Sequence, residues 1–435
     1  VKVYLDTIGC RLNQAEIEAF ARQFHAAGHT LVADPEEADL AVINTCSVTS
    51  AAASDSRGKI RKAARAGVEE IIATGCWATL KPEAADRLPG VTQVVANAHK
   101  DHLVPELLNL PTEQFNLEPV ERMPVPGARL RTRAFIKVQD GCDNRCTFCV
   151  TTIARGGGRS YPVERVLADI RAARQAGDLR SQEIVLTGVH LGSWGHDLSP
   201  RSDLRRLIEA ILSDTDVPRL RLSSLEPWDL DEGFFELWEN PRLCRQLHLP
   251  LQSGSAATLR RMARKVTPET YADLVAAARR NIPGVAITTD VITGFPGESE
   301  AEFAESLAFV GAMRFAAGHV FTYSPRQGTA AANMPDQVLH AVRKERNTRM
   351  RAMLAESAGT YRAAFLDQVL PVLWETATAL EPQGWQMSGL TDNYLRVNAR
   401  APRSLWNQIT PVRLTGINGD AMHGEIQVPG SPPGL

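Results

Sequence analysis

The first hundred residues alternate two patterns. The apolar runs VKVYLDTIGC, LAVINTC and EEIIATGC read as strands. Between them, NQAEIEAFARQFHAAG and SRGKIRKAARAG space their apolar positions three and four apart and end at glycine, as amphipathic helices do. This β-α-β-α-β series predicts a parallel sheet flanked by helices. Residues 105–133, PELLNLPTEQFNLEPVERMPVPGARLRTR, carry several prolines and little periodicity, and predict an interdomain linker. A second alternation follows. AFIKVQ, EIVLTGVHL, RLRLSSL, RQLHLPLQ, VAITTDVITGF and AGHVFTYS are strand candidates, separated by helical stretches such as PVERVLADIRAARQAG and PETYADLVAAARR. Repeated strand–helix units predict a full or partial barrel of parallel strands. After a long charged helix, AVRKERNTRMRAMLAESAGTYRAAFL, come QVLPVLWET, QGWQMSGLTDN, YLRVNA, TPVRLTGINGD and MHGEIQV. Their regular turn signals predict a small antiparallel barrel, a shape common among oligonucleotide-binding modules. The expected class is α/β: an open parallel sheet over 1–122, a partial (β/α) barrel over 123–364 and a small β-barrel over 365–435.

Bulk properties change this picture little. A chain of 435 residues exceeds one ordinary core, and 44% hydrophobic content supports several. No apolar run approaches the roughly 18 residues of a membrane span. The opening segment has a strand pattern rather than the apolar stretch of a signal peptide, so a cytoplasmic location is the expectation. A formal net charge of −2 neither requires nor excludes nucleic acid, because a local basic patch can form on a neutral surface. Seven cysteines, an odd number at very tight or very wide spacings, point to metal or redox use rather than to a disulfide framework.

The cysteines fall into two sets. Each of the first three strands ends in one: Cys10, Cys46 and Cys76. The carboxyl ends of a parallel sheet form one ligand-binding edge, so residues far apart in sequence meet there. One such cysteine is a good small core residue; three out of three predict a shared ligand. The second set, Cys142, Cys146 and Cys149, has the spacing C-x3-C-x2-C just after the first barrel strand, with Phe148 before the last cysteine. A zinc ribbon needs a second C-x2-C, which the chain lacks, and Cys244 in PRLCRQLHLP reads as a packed residue. An iron–sulfur cube held by three cysteines leaves one iron free to bind a cofactor or substrate.

GCDNRCTFC resembles the cluster loop of radical S-adenosylmethionine enzymes. Together with TIGCRLNQAE, VINTCSVT, ATGCWAT, EIVLTGVHLGSWG, RLSSLEP, HLPLQSGS, DVITGFPGESEAEF and HVFTYSPRQGT, it resembles the methylthiotransferase family, and GLTDNYLRV resembles that family's C-terminal TRAM domain. The resemblance implies two [4Fe–4S] clusters, with Cys142, Cys146 and Cys149 holding the one that cleaves S-adenosylmethionine. Cys10, Cys46 and Cys76 would hold an auxiliary cluster that carries the sulfur. It implies transfer of a methylthio group to C2 of N6-threonylcarbamoyladenosine beside a tRNA anticodon. TIGCRLNQ and RLSSLEP look most like that branch. The isopentenyladenosine branch usually has Met-Asn where this chain has Leu12-Asn13, and a third branch modifies a ribosomal-protein aspartate. A reducing partner such as flavodoxin or ferredoxin is implied too. An iron–sulfur electron carrier or an RNA-binding sensor is the non-enzyme alternative, although a carrier needs saturated clusters and no cofactor pocket.

For the cofactor, the resemblance assigns the GFPGE turn, with Gly294 and Gly297, to support of the adenosyl group. Phe148 belongs to the same expected pocket. Ser224, Glu226, Gln252 and Ser253 follow strands and could bond ribose hydroxyls or the methionine amine. Arg155 and Arg159 in ARGGGRS could meet a phosphate or the cofactor carboxylate. His248 reads as a satisfied histidine. For tRNA, the basic stretches are RGKIRKAAR, RRMARK and RKERNTRMR, and Trp385, Tyr394 and Trp406 could stack on bases or equally form the small barrel's core.

Overall fold

The structure of the chain, a computed structural model, describes residues 1–111, 132–175, 180–380 and 384–427. Strands β1 (Lys2–Thr7), β2 (Thr30–Val32), β3 (Leu40–Thr45), β4 (Glu70–Gly75) and β5 (Val91–Val95) form a parallel sheet in the order β2-β1-β3-β4-β5. The three strands expected from the sequence are β1, β3 and β4. β2 spans three residues, and β5 is largely exposed or half-buried, so neither makes a readable apolar run. The helix Arg11–Ala26 lays Ile17, Phe20 and Phe24 on one face of the sheet, against Val3, Leu5, Val42 and Ile72. The helix Ser50–Arg65 covers the other face with Ile60 and Ala63, against Tyr4, Ala41, Ile43 and Ile71.

All six barrel strands form. They are β6 (Arg133–Lys137), β9 (Glu183–Thr187), β10 (Arg219–Leu222), β11 (Gln246–His248), β12 (Ala286–Thr293) and β13 (Ala317–Thr322). Two short strands, β7 (Gln139–Asp140) and β8 (Arg159–Ser160), make an antiparallel ladder that flanks the cluster loop. The order β6-β9-β10 joins β11-β12-β13 through parallel bridges Leu220–Leu243 and Ser224–His248. The barrel is therefore partial: among the described residues β6 and β13 do not pair. Alternate strand residues such as Ile184, Leu186, Leu220 and Leu222 pack outward on the surrounding helices and form the largest core. The start of the expected linker is helical, Leu103–Leu108, and its end belongs to β6. The expected boundary at 122–123 lies outside the described residues.

The C-terminal strands β14 (Val369–Ala379), β15 (Trp385–Thr391), β16 (Arg396–Ala401), β17 (Ile409–Asn418) and β18 (Ala421–Ile426) close into a barrel, β14-β15-β16-β18-β17. One pair departs from the antiparallel expectation: β16 and β18 run parallel, because a closing strand must meet whichever free edge remains. This barrel docks at the amino ends of the central strands. Arg219 donates to the carbonyls of Leu390 and Pro371, and Arg221 to those of Thr391 and Asp392. Arg245 pairs with Asp392 at 2.6 Å. Behind them Glu183 and Arg221, both fully buried, pair at 2.7 Å.

Candidate functional site

Cys10, Cys46 and Cys76 follow β1, β3 and β4, three adjacent strands, and so share one sheet edge. The local turns are tight. Gly9 has φ +113°, and a Cβ there would lie 2.7 Å from both Cβ and Sγ of Cys46. Gly75 has φ +95°, and its Cβ would strike the Thr45 carbonyl. Only glycine suits either place. Cys46 and Cys76 are buried. Cys10 lies deep among protein atoms yet keeps an exposed edge, so solvent reaches the trio from its side. Burial raises the thiols of Cys10 and Cys46 above their ordinary range.

Cys142, Cys146 and Cys149 lie between β7 and the short helix Thr151–Arg155, at the carboxyl side of β6. The Cys142 N–H donates to the Gly156 carbonyl at 3.0 Å, and that of Cys149 to Cys146 at 3.1 Å. Gly141, with φ +71°, leaves no room for a Cβ against the Gly157 carbonyl. Gln139, fully buried, spans the loop's base: it donates to the carbonyls of Asp140 and Gly141 and accepts from the His190 N–H.

Both trios suit iron–sulfur ligation by three thiolates. N–H donors are aimed at the sulfurs, as ligand thiolates require. The Asn144 N–H lies 3.4 Å from Cys142 Sγ, Arg264 Nη1 3.8 Å from Cys146 Sγ and Asn97 Nδ2 3.6 Å from Cys76 Sγ. Among the described residues, no three Cys, His or acidic groups converge as a single metal ion would need. In a cube each thiolate takes a different iron. His190 stands beside Cys142 and holds Asp229 at 2.6 Å. Burial alone would lower its pKa; the bonds to Asp229 and Cys142 overcome that and push it up to about 10.

The expected cofactor residues occupy the mouth of the partial barrel. Glu226 accepts from Arg264 at 2.7 Å, and the Arg264 guanidinium lies 4.4 Å over the Trp228 ring. Ser224 bridges to His248, whose Nδ1 meets Thr288 Oγ1 at 2.9 Å. Gln252 has φ +72°, an unusual backbone for a non-glycine residue at a strand end. Ser253 Oγ is buried and accepts from the Ser255 N–H. Phe148 packs edge-on to Phe295 of the GFPGE turn and against Met262, which joins the cluster loop to that turn. At Gly294 and Gly297 the missing side chains make room for Arg343 and Arg261, so these glycines serve protein packing. Glu298 in the same turn is braced by Arg346 at 2.8 Å.

Three expectations need correction. Arg155 is not on an open loop: it is buried, donating to Glu16, Asp140 and Asn13. Arg159, half exposed, stays at the site's rim, 3.8 Å from Asp140. Several residues of the basic stretches are committed internally, Arg264 to Glu226, Arg261 to Glu302 and Arg346 to Glu298, whereas Arg61, Lys62 and Arg65 are exposed. Tyr394 is not a free stacking platform: it accepts from Arg11 and lies 5.3 Å from the Arg221 guanidinium, at the junction of all three parts. Trp385 packs on the small barrel's core and Trp406 is half-buried. Asp229 and Asn97 gave no readable signal, and His190, Arg264 and Gln139 lay in quoted segments without any sign that the fold would bring them to the cysteines.

The two cysteine edges face each other. Asn97 donates to the Ala154 carbonyl at 2.9 Å while reaching Cys76. Arg326, on the loop after β13, donates to the Val48 carbonyl beside Cys46. Val48 and Ile153, each a few residues past a cysteine, are 52% and 51% exposed and give this cleft apolar lips. Residues 2–96 match the uncharacterized protein family UPF0004, and residues 136–310 the radical SAM superfamily. A threonylcarbamoyladenosine tRNA methylthiotransferase, MtaB, of Bacillus subtilis is 36% identical over 95% of this chain and 93% of its own length. The MtaB of Thermotoga maritima is 35% identical over 86% of each. A tRNA-2-methylthio-N(6)-dimethylallyladenosine synthase of Acidothermus cellulolyticus is 34% identical over 94% of this chain and 84% of its own length. The fold is shared with TsrM, a radical S-adenosylmethionine methyltransferase from Kitasatospora setae, at TM-score 0.57 and 16% identity, covering 76% of this chain and 75% of that one. On these grounds the chain belongs to the radical S-adenosylmethionine tRNA methylthiotransferase family.

Proposed function

We propose that this protein replaces the C2 hydrogen of N6-threonylcarbamoyladenosine, next to the tRNA anticodon, with a methylthio group. The observation that carries the reading is the pair of three-cysteine edges facing one cleft. Support for the substrate comes from the two MtaB relatives and from Leu12-Asn13, just after Cys10 at the start of the first helix. The dimethylallyladenosine reading is favoured only by relatives of slightly lower identity.

In this reading Cys142, Cys146 and Cys149 hold one [4Fe–4S] cluster and Cys10, Cys46 and Cys76 the other. When bound, the clusters and S-adenosylmethionine supply one-electron chemistry and sulfur, which an inert aromatic C–H demands. The chain's own residues do the rest. Phe148 fixes the cluster loop on the GFPGE turn. Glu226, one carboxylate oxygen of which Arg264 holds, would be available to the cofactor's amine, and Ser224 and Gln252 would offer polar groups at the barrel mouth. Gly294, Gly297 and Glu298 keep the turn in place, and Arg159 stands at the rim for an anionic group. Val48 and Ile153 would offer apolar contact to the substrate base. Arg61, Lys62 and Arg65 contact tRNA phosphates.

A flavodoxin- or ferredoxin-like reductant would deliver electrons, in the cytoplasm where tRNA is modified. No helix of the described residues is long and apolar enough to cross a membrane. Nucleoside mass spectrometry of tRNA from a deletion strain is the test. Loss of methylthio-threonylcarbamoyladenosine is expected; loss of the methylthio-dimethylallyl nucleoside instead would transfer the protein to the other branch.

A further inference from the structure

Between the cysteine edges lies a cluster of buried charge that the chemistry above does not use. Glu16 meets Lys100 at 2.8 Å, Arg155 at 2.9 Å and Lys137 at 3.3 Å. Asp140 meets Lys137 at 2.8 Å and Arg155 at 2.9 Å, and Asp101 meets Lys137 at 3.0 Å. Three carboxylates thus face three cations. Glu16, Lys100 and Asp101 belong to the N-terminal unit; Lys137, Asp140 and Arg155 belong to the barrel. Burying so much charge is costly unless each member is paired, which makes the arrangement specific in geometry.

Arg155 differs from the two lysines in where it ends. Its Nη2 donates to Asn13 Oδ1 at 2.8 Å, and the same oxygen lies 3.7 Å from Cys10 Sγ. The preceding residue, Ala154, receives Asn97 Nδ2, which also reaches Cys76 Sγ. One side chain therefore separates the Arg155 segment from each of two thiols in the trio. The same segment lies six residues after Cys149. Glu16, the carboxylate partner of Arg155 at 2.9 Å, lies on the same helix as Asn13, so both charges sit one turn from the Cys10 end of the trio. In a poorly polarisable interior a fixed charge at this range acts strongly.

We propose that Arg155 is a positioning residue for the Cys10, Cys46 and Cys76 trio. It locks the trio to the cluster loop of the barrel, and its fixed positive charge makes the iron–sulfur group held there easier to reduce. This rests on the reading that the trio binds a four-iron cluster.

The experiment uses the full chain with Cys142, Cys146 and Cys149 replaced by alanine, so that reconstitution loads the trio alone. About four irons per chain in this background supports the ligand reading; no iron overturns that reading and the proposal together. A potentiometric titration followed by electron paramagnetic resonance then reads the midpoint. Arg155→Met is expected to move it to more negative potential, and Arg155→Lys to restore it. Glu16→Gln, which removes the opposing charge, is expected to move it the other way. A merely structural arginine would lower melting temperatures without this pattern of signs. An unmoved midpoint in loaded Arg155→Met overturns the proposal, and Glu16→Gln decides in the same way where the methionine variant does not fold.

Discussion

Gly9 shows how little freedom a cysteine edge has at the scale of single residues. Its positive φ and the 2.7 Å approach to Cys46 mean that alanine must push the Cys46 side chain aside. Gly9→Ala is expected to cost about 1–3 kcal/mol in local strain. Reconstituted iron should fall from about eight per chain toward about four, the loss of one four-iron cluster; full iron content would refute this. The cysteines themselves separate the two roles. Cys149→Ala should abolish dithionite-dependent release of 5′-deoxyadenosine. Cys46→Ala should keep that release and lose methylthio transfer to tRNA. Equal loss of both activities in Cys46→Ala would argue against two independent sites. The C-x3-C-x2-C spacing made one trio readable from the sequence, and the shared strand ends the other. The burial of Arg155 was not readable, because ARGGGRS has the composition of an exposed loop and Glu16 lies 139 residues away.

Among the elements, the cluster loop and the GFPGE turn work as one body. Phe148, Phe295, Met262 and Tyr323 form a small core of their own beneath the barrel mouth. Phe148 is only partly buried, so Phe148→Ala should cost about 2–3 kcal/mol, below the range for a fully buried phenylalanine. Cofactor affinity in an equilibrium titration should weaken more than the melting temperature falls in proportion, since the loop loses its seat while the main core stays intact. Unchanged cofactor affinity would separate the loop from the turn. Long strands and amphipathic helices were legible from their periods. The short strands β2, β5, β7 and β8 were not, because two to five residues at an edge carry too few apolar positions to repeat.

For the whole molecule, the joint between the small barrel and the central one is electrostatic. Burial would raise the pKa of Glu183, but Arg221, Arg133 and Arg219 hold it down to about 2. A carboxylate depressed in the folded state stabilises it above the unfolded pKa and loses that contribution as pH falls. For Glu183 the window runs from about pH 4.5 down to about pH 2, and the contribution is roughly 3 kcal/mol. Urea denaturation across this window should show a steep acid loss in the parent protein. Glu183→Gln should start less stable, with Arg221 left unpaired, and fall less steeply; parallel curves would contradict the assignment. The sequence by itself determined the α/β class and the three kinds of architecture and pointed to both cysteine trios, because hydrophobic period, strand ends and the C-x3-C-x2-C spacing are local properties of the chain. Only the tertiary structure decided that the two edges face each other, that a buried ion network joins them, and that Tyr394 closes a junction rather than offering a face to RNA. Those outcomes depend on contacts between residues far apart in sequence, and no local pattern encodes which distant charge will be within reach.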